Sequence, residues 1–222
     1  MLRERVHMKT TEQDNSPGAV PNWGRYNYPL ACRILKDTDA PILYPAMKKS
    51  AKNLKGFIGW AKYAPSWNIS EVQKFVRDHC EDEFPRFHLI FSIGYEVVGF
   101  GSIAPMPRNR DVQVALWVTS GYERQGIGSW IVNVLEWYAF NVFGYDNVYY
   151  QHDSSNRKSG ALPKKLGYRY SHYFEEEISA MGESGLWFSH VKMKPSDIPA
   201  GYIDTGTLSN WDGINFPWKS LI

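Results

Sequence analysis

Residues 118–129 read Val118-Thr119-Ser120-Gly121-Tyr122-Glu123-Arg124-Gln125-Gly126-Ile127-Gly128-Ser129. Further along, residues 156–168 read Asn156-Arg157-Lys158-Ser159-Gly160-Ala161-Leu162-Pro163-Lys164-Lys165-Leu166-Gly167-Tyr168. The first stretch joins an apolar run, residues 112–118, to a segment in which Ile131, Val134, Leu135, Tyr138 and Val142 recur at helical spacing, with Ser129, Asn133 and Glu136 on the other face. A strand therefore turns into an amphipathic helix that runs from Gly128 to about Phe143. A helix N-terminus presents unpaired N–H groups and the positive end of its dipole, and Gly126 and Gly128 let an anion approach the main chain. Such a turn suits a phosphate or pyrophosphate. It is no Walker loop, because no Gly-Lys-Ser/Thr closes it, and it lacks the first glycine of the dinucleotide fingerprint. Tight packing of strand on helix is the other reading of the two glycines.

Working outward, the spacing predicts a strand over residues 30–35, then a helix opening near Asp37 or Asp39 and passing through Leu43, Met47 and Ala51. A Trp/Gly/Pro-rich loop, residues 56–67, leads to Ser70-Glu71-Val72-Gln73, which has the form of a capping box. Val72, Phe75, Val76 and Cys80 follow at helical spacing. Two β-rich runs, residues 87–93 and 96–103, flank Gly94-Tyr95, a hairpin signal. The run 112–118 is apolar almost throughout and predicts a strand buried on both faces. After the long helix come a strand over 147–152, a short helix over 157–166 with Gly167 as its C′ residue, and strands near 168–175 and 186–194. Helix and strand alternate around one mixed sheet, which is an α/β (α+β) pattern without internal repeat.

The chain has 222 residues, a net charge of +2, 43% hydrophobic and 22% charged residues, the balance of a globular protein. A collagen, a chain disordered throughout, a membrane-spanning protein and a strongly basic nucleic-acid binder do not fit it. Two cysteines, Cys32 and Cys80, stand in no metal-ligand spacing and read as reduced and buried. The N-terminal residues carry charges but no apolar h-region, so a cytoplasmic protein is expected. The chain divides into a polar arm, residues 1–28, a periodic domain, 29–195, and an extension, 196–222. With 9 Trp, 14 Tyr and 11 Phe, more rings are present than a core of this size needs. Several lie in the flanking segments: Trp23, Tyr26 and Tyr28 before the domain, and Tyr202, Trp211, Phe216 and Trp218 after it. They predict that the tail packs on the domain or on a second subunit, as in a homodimer.

At the second quoted stretch the sequence resembles the GNAT superfamily of acetyl-CoA-dependent N-acetyltransferases. That family joins a turn of the form R/Q-x-x-G-x-G/A to a segment of the form N-x-x-A/S-x-x-L-x-x-K-x-G-F/Y. Here Asn156, Ser159, Leu162, Lys165, Gly167 and Tyr168 fill every place of the second pattern. The likeness covers about residues 29–195 and is closest to the RimJ/RimL-type subgroup, which acetylates protein N-termini and related amines. Residues 33–40 and 54–60, with Trp60, are similar to that subgroup's opening strand and acceptor loop. The resemblance implies a mixed, mostly antiparallel sheet of about six to seven strands, flanked by about four helices and splayed between two central strands.

It also implies roles. Main-chain groups of Leu116, Trp117 and Val118 would receive the pantetheine arm of acetyl-CoA, and the turn from Arg124 and Gln125 through Gly126, Ile127, Gly128 and Ser129 its pyrophosphate. Asn156 would bond the pantetheine or cap the helix after it. The basic residues Arg157, Lys158, Lys164, Lys165 and Arg169 suit the 3′-phosphoadenosine end, with a solvated helix face as the alternative for each. No metal is implied. Three places depart from the family pattern. The first motif position is Glu123, unfavourable beside a pyrophosphate unless it points away. The tyrosine that protonates the departing thiolate in many members is replaced by Pro163, which leaves Ser159 as the substitute unless it only packs or caps. The position that often carries a glutamate base is Gln113, which takes no proton at neutral pH.

His152, with an ordinary pKa of about 6.5, Asp111 and Asp153 are the remaining candidate bases, although a histidine at a strand end is commonly structural. A site with so weak a base suits an α-amine, of pKa about 8, better than a lysine at about 10.4. The expected activity is acetyl transfer from acetyl-CoA to an amine acceptor, a protein N-terminus or a small molecule. A non-catalytic acyl-CoA-binding module is the competing reading.

Overall fold

Gly94 takes a positive φ of 58°, which a tight turn requires, and closes the hairpin between β2 (Phe87–Ile93) and β3 (Glu96–Pro105). The protein is described by a computed structural model over residues 30–81, 87–108 and 110–195. The N-terminal arm with Trp23, Tyr26 and Tyr28 and the extension with Tyr202, Trp211, Phe216 and Trp218 lie outside the described residues. β1 (Leu30–Ile34) pairs antiparallel with β2, and β4 (Asp111–Val118) antiparallel with β3. β5 (Asn147–Asp153) runs parallel to β4, and β7 (Leu186–Met193) returns antiparallel between β5 and β6 (Arg169–Glu175). The seven-stranded order is β1-β2-β3-β4-β5-β7-β6, with one parallel pair at its centre. Among the described residues four α-helices flank it: α1 (Ala40–Leu54), α2 (Ile69–Cys80), α3 (Ile127–Trp137) and α4 (Arg157–Lys165).

The sheet separates two cores. On one face Ile131 and Leu135 of α3, with Tyr138 just after it, lie against Phe91, Val112 and Val114. Close approach is possible because β3 carries glycine there: a Cβ on Gly99 would sit 2.6 Å from the Ile131 side chain and 2.9 Å from the Trp117 carbonyl. On the other face Leu43, Met47, Val72 and Val76 of α1 and α2 pack on Ile90, Phe100 and Trp117.

Four expectations need correction. The cap of α2 is Asn68 rather than Ser70. Its side chain accepts the N–H groups of Ser70 and Glu71 while Glu71 returns to the Asn68 amide, so the box is Asn-x-x-Glu, two residues earlier. Helix α3 is buried nearly all round, Ser129 and Glu136 included, and at Glu136 the face that reads as solvated is covered by Lys192 of β7, 2.7 Å away. Beyond Trp137 it widens into a π turn over Tyr138–Val142, which buries Tyr138, Ala139 and Phe140 together. Strand β4 is buried on both faces only in its first half: Ala115 is exposed and Leu116 and Val118 half-buried, since β5 has left its side by then. Cys32 is buried as expected, but Cys80, in the last turn of α2, is exposed.

Candidate active site

The parallel pairing of β4 with β5 ends at Val114 opposite Tyr150. β4 remains bound to β3 as far as Val118, and β5 to β7 as far as Asp153. The two strands therefore part into a V, and the main chain of residues 115–118 has no strand partner on the open side. At the mouth the chain turns into α3. Its bend is anchored from below: the Thr119 hydroxyl donates to the Val97 carbonyl at 2.8 Å, the Ser120 amide to Ser50 Oγ at 3.0 Å, and Asn53 Nδ2 to Ser120 Oγ at 2.8 Å. Gln125 closes the loop by donating to the Gly121 carbonyl at 2.7 Å. Arg124 and Gly126 both take left-handed φ values, 57° and 89°. Gly126 is the N-cap of α3 and supplies no side-chain acceptor, so the first-turn amides of Ile127, Gly128 and Ser129 are not capped.

Asn53, Gly121, Glu123, Arg124, Gln125 and Lys158 line a cleft of about 500 Å³ at this turn. Glu123 folds back, accepting the Gly121 amide at 2.7 Å and Asn53 Nδ2 at 3.3 Å. Burial opposes its ionisation, but its own amide, that of Gly121, the Asn53 side chain and Lys158 outweigh it and hold the carboxyl below its ordinary range. Its charge is thus absorbed locally. The structure brings Lys158 to this cleft, whereas Lys165 is exposed in the last turn of α4, where it complements the helix dipole. Ser50 and Asn53 escape sequence reading, because polar residues on one helix give no sign of which distant turn they brace.

On the β5 side, Asn156 caps α4 by accepting the Ser159 amide at 3.1 Å. Ser159 Oγ lies 2.8 Å from the hydroxyl of Tyr150, which is buried. His152 is also buried. Its Nδ1 is 2.9 Å from the Asp153 carbonyl and its Nε2 3.3 Å from Nε2 of His190, with the two rings stacked at 11°. α4 rests on this ring through Gly160, where a Cβ would come within 2.6 Å of His152 Cε1. Asp153 receives Ser155, Ser184 and Gly185. Burial pushes its carboxyl up, but these bonds prevail and keep it low. Asp111, which accepts Asn147 Nδ2 at 2.7 Å, stands at the start of β4, the end away from the V.

The candidate acid–base residues are not brought together. Alternation along β4 and β5 puts Tyr150 and His152 on the α3 and α4 side of the sheet, and Gln113 on the side of Trp117. There Trp60 and Phe100 pack on Trp117, with ring centroids 5.6 and 6.2 Å away, and Trp67 and Phe75 extend the aromatic wall. The loop after α1 meets the β6–β7 loop through backbone, the Gly182 amide donating to the Gly56 carbonyl at 2.9 Å. A Cβ on Gly182 would lie 2.8 Å from that oxygen, so the contact depends on glycine.

His190 makes stability depend on pH. Burial, followed by His152 and Lys164, lowers the pKa of His190 below its ordinary value. On acidification the unfolded chain therefore takes up the proton first, so this contribution is full above the ordinary histidine pKa and is lost as the pH falls toward the lowered one. Urea midpoints are expected to drop between about pH 7.5 and about pH 5, and His190→Gln to flatten the drop. Equal slopes for the two proteins would remove His190 as its source.

An open pair of parallel strands beside an uncapped glycine-bearing helix start is a site for an extended ligand with an anionic end. The model of the acetyltransferase (GNAT) family matches residues 57–168, just over half of the 222 residues, and the chain belongs to that family of acetyl-CoA-dependent enzymes. No curated protein matches the sequence. Among solved structures, the fold is shared with the ribosomal L7/L12 alpha-N-protein acetyltransferase RimL in complex with coenzyme A, at 16% identity and a TM-score of 0.67, covering 76% of this chain and 96% of that one. The ribosomal-protein-S5-alanine acetyltransferase from Vibrio fischeri matches at 16% identity and a TM-score of 0.62, covering 77% and 96%. A chimera of the spermidine N-acetyltransferase SpeG from Vibrio cholerae and hSSAT matches at 14% and 0.59, covering 74% and 95%.

Proposed function

We propose that this protein is an N-acetyltransferase that passes the acetyl group of acetyl-CoA directly to an α-amine, a protein or peptide N-terminus, with residues 29–195 as its catalytic domain. The observation that carries the reading is the V between β4 and β5, with three uncapped α3 amides at its mouth. The pantetheine arm lies along Leu116, Trp117 and Val118, completing their main-chain hydrogen bonding as a strand would. The pyrophosphate takes the amides of Ile127, Gly128 and Ser129, with Arg124, Gln125 and Lys158 at the cleft wall. Asn156 acts by capping α4 and so fixing Ser159. Lys165, exposed in the last turn of α4, is free to pair with the adenosine phosphate.

In the reaction the neutral amine attacks the thioester carbonyl carbon. Main-chain N–H groups of the open strand stabilise the oxyanion, and holding the two reactants together supplies much of the acceleration. As the C–N bond forms and the C–S bond breaks, Ser159 gives its hydrogen to the thiolate and recovers one from water, while the amine nitrogen loses its surplus proton to solvent. Gln113 orients the amine without taking that proton. His152, with both ring nitrogens engaged, supports α4 through Gly160.

The acceptor assignment follows from the base. The Gln113 position holds no carboxylate, Asp153 is fully hydrogen-bonded and Asp111 is remote, so the amine must reach the site already neutral. An α-amine near pKa 8 is neutral roughly two hundred times more often at pH 7 than a lysine near 10.4. The test is release of free thiol from acetyl-CoA with N-terminal peptides, the same peptides blocked at the N-terminus but carrying an internal lysine, and spermidine. Turnover is expected with the free N-termini; preference for internal lysine or spermidine would overturn the acceptor, and coenzyme A binding without turnover on any amine would overturn the activity.

A further inference from the structure

We infer that Tyr150 is a positioning residue for the proton donor: its phenol donates to Ser159 Oγ and turns the Ser159 hydrogen toward the sulfur of the departing coenzyme A. The inference rests on the assignment of Ser159 as that donor. Three observations carry it. Tyr150 and Ser159 are joined by a 2.8 Å hydrogen bond between β5 and the first turn of α4. Tyr150 is 3% exposed, and Ser159 Oγ is the one hydrogen-bond partner recorded for its hydroxyl among the described residues. It is also the last β5 residue to pair with β4, so the bond sits where the V begins.

The direction of the bond follows from chemistry. A phenol is the more acidic hydroxyl and the better donor, and a buried donor left without an acceptor is costly. Were Ser159 the donor instead, the phenol hydrogen would have no acceptor within hydrogen-bond distance among the described residues. Tyr150 therefore donates. Ser159 makes no other side-chain bond among the described residues, so its hydrogen is left for the half-open side, where the leaving sulfur lies. Accepting a bond from the phenol also stabilises the oxygen as it gives that hydrogen up. Tyr150 keeps its own proton throughout: one hydrogen passes from Ser159 to sulfur, and water restores it. Nothing in residues 147–153 marks this tyrosine; only the crossing of α4 over β5 does.

A double-mutant cycle tests the inference, with steady-state kinetics and coenzyme A binding measured for each protein. Tyr150→Phe keeps the buried ring and is expected to lower kcat about tenfold while KM for acetyl-CoA stays within about twofold. Ser159→Ala is expected to lower kcat on the order of a hundredfold. In the Ser159→Ala background, Tyr150→Phe is expected to cost nothing further, because its effect passes through Ser159. A merely structural tyrosine would cost the same factor in both backgrounds, and that result, or full kcat for Tyr150→Phe alone, overturns the inference while leaving Ser159 as donor. Full kcat for Ser159→Ala overturns the donor assignment and this inference together, a pattern distinct from failure at Tyr150 alone.

Discussion

Gly126→Val raises KM for acetyl-CoA on the order of a hundredfold, equivalent to about 2.7 kcal/mol of binding. Gly126 holds φ at 89° as the N-cap of α3, a conformation that a β-branched residue adopts only under strain. To relieve it the turn must reopen, and the amides of Ile127, Gly128 and Ser129 then no longer converge on one anion. Hydrogen bonds to a charged group contribute about 1.5–3 kcal/mol each, so loss of alignment at two of the three is enough for the effect. Gly126→Ala, which strains the same dihedral without a branched side chain, falls between wild type and valine. Thermal unfolding with added coenzyme A gives a second reading: wild type gains stability from the ligand and Gly126→Val gains little. An unchanged KM in the valine variant would place the pyrophosphate elsewhere.

Lys192→Met destabilises the fold by about 3 kcal/mol, as expected when a buried carboxylate loses its cationic partner. For a domain of this size that is a fall in Tm of about 6–12 °C. Glu136 lies in the buried face of α3, with Lys192 2.7 Å from one of its oxygens. Burial already pushes its carboxyl above the ordinary range, and Lys192 partly restrains it. Without the lysine the folded-state pKa rises further. A raised acid pKa means that the native state holds the proton more tightly than the unfolded chain, so stability falls as the pH climbs through that interval. The loss is therefore larger at about pH 8 than at about pH 5, and Glu136→Gln in the Lys192→Met background recovers part of it. Unfolding curves of the single and double variants at the two pH values check this; a loss independent of both pH and residue 136 would point to packing of the lysine stem instead.

Local chemistry made much of the fold legible. The hairpin at Gly94 and the helix stop at Gly167, with its φ of 79°, are written in glycine because other residues resist those dihedrals. The turn into α3 was legible for the same reason: a strand, a turn containing Gly126 and an uncapped helix are contiguous in the chain. Errors arose where a distant element altered a local pattern. The polar face of α3 reads as solvated until β7 covers it with Lys192, and β4 reads as doubly buried until β5 turns away after Val114. The cap of α2 was displaced by two residues because Asn68 and Ser70 are both good caps, and the choice rests on where the chain enters the helix.

By itself the sequence determined the order of the elements, the family pattern of Asn156, Ser159, Leu162, Lys165, Gly167 and Tyr168, and the glycine-bearing turn, all of which depend on residues near one another in the chain. The tertiary structure decided which side chains meet: that Glu123 turns back on Gly121, that Lys158 rather than Lys165 reaches the cleft, that His152 is enclosed by His190 and Gly160, and that Tyr150 stands behind Ser159. Periodicity and propensity act over a few residues, whereas these contacts are made by strands and helices crossing, and their partners are set by sheet order and register.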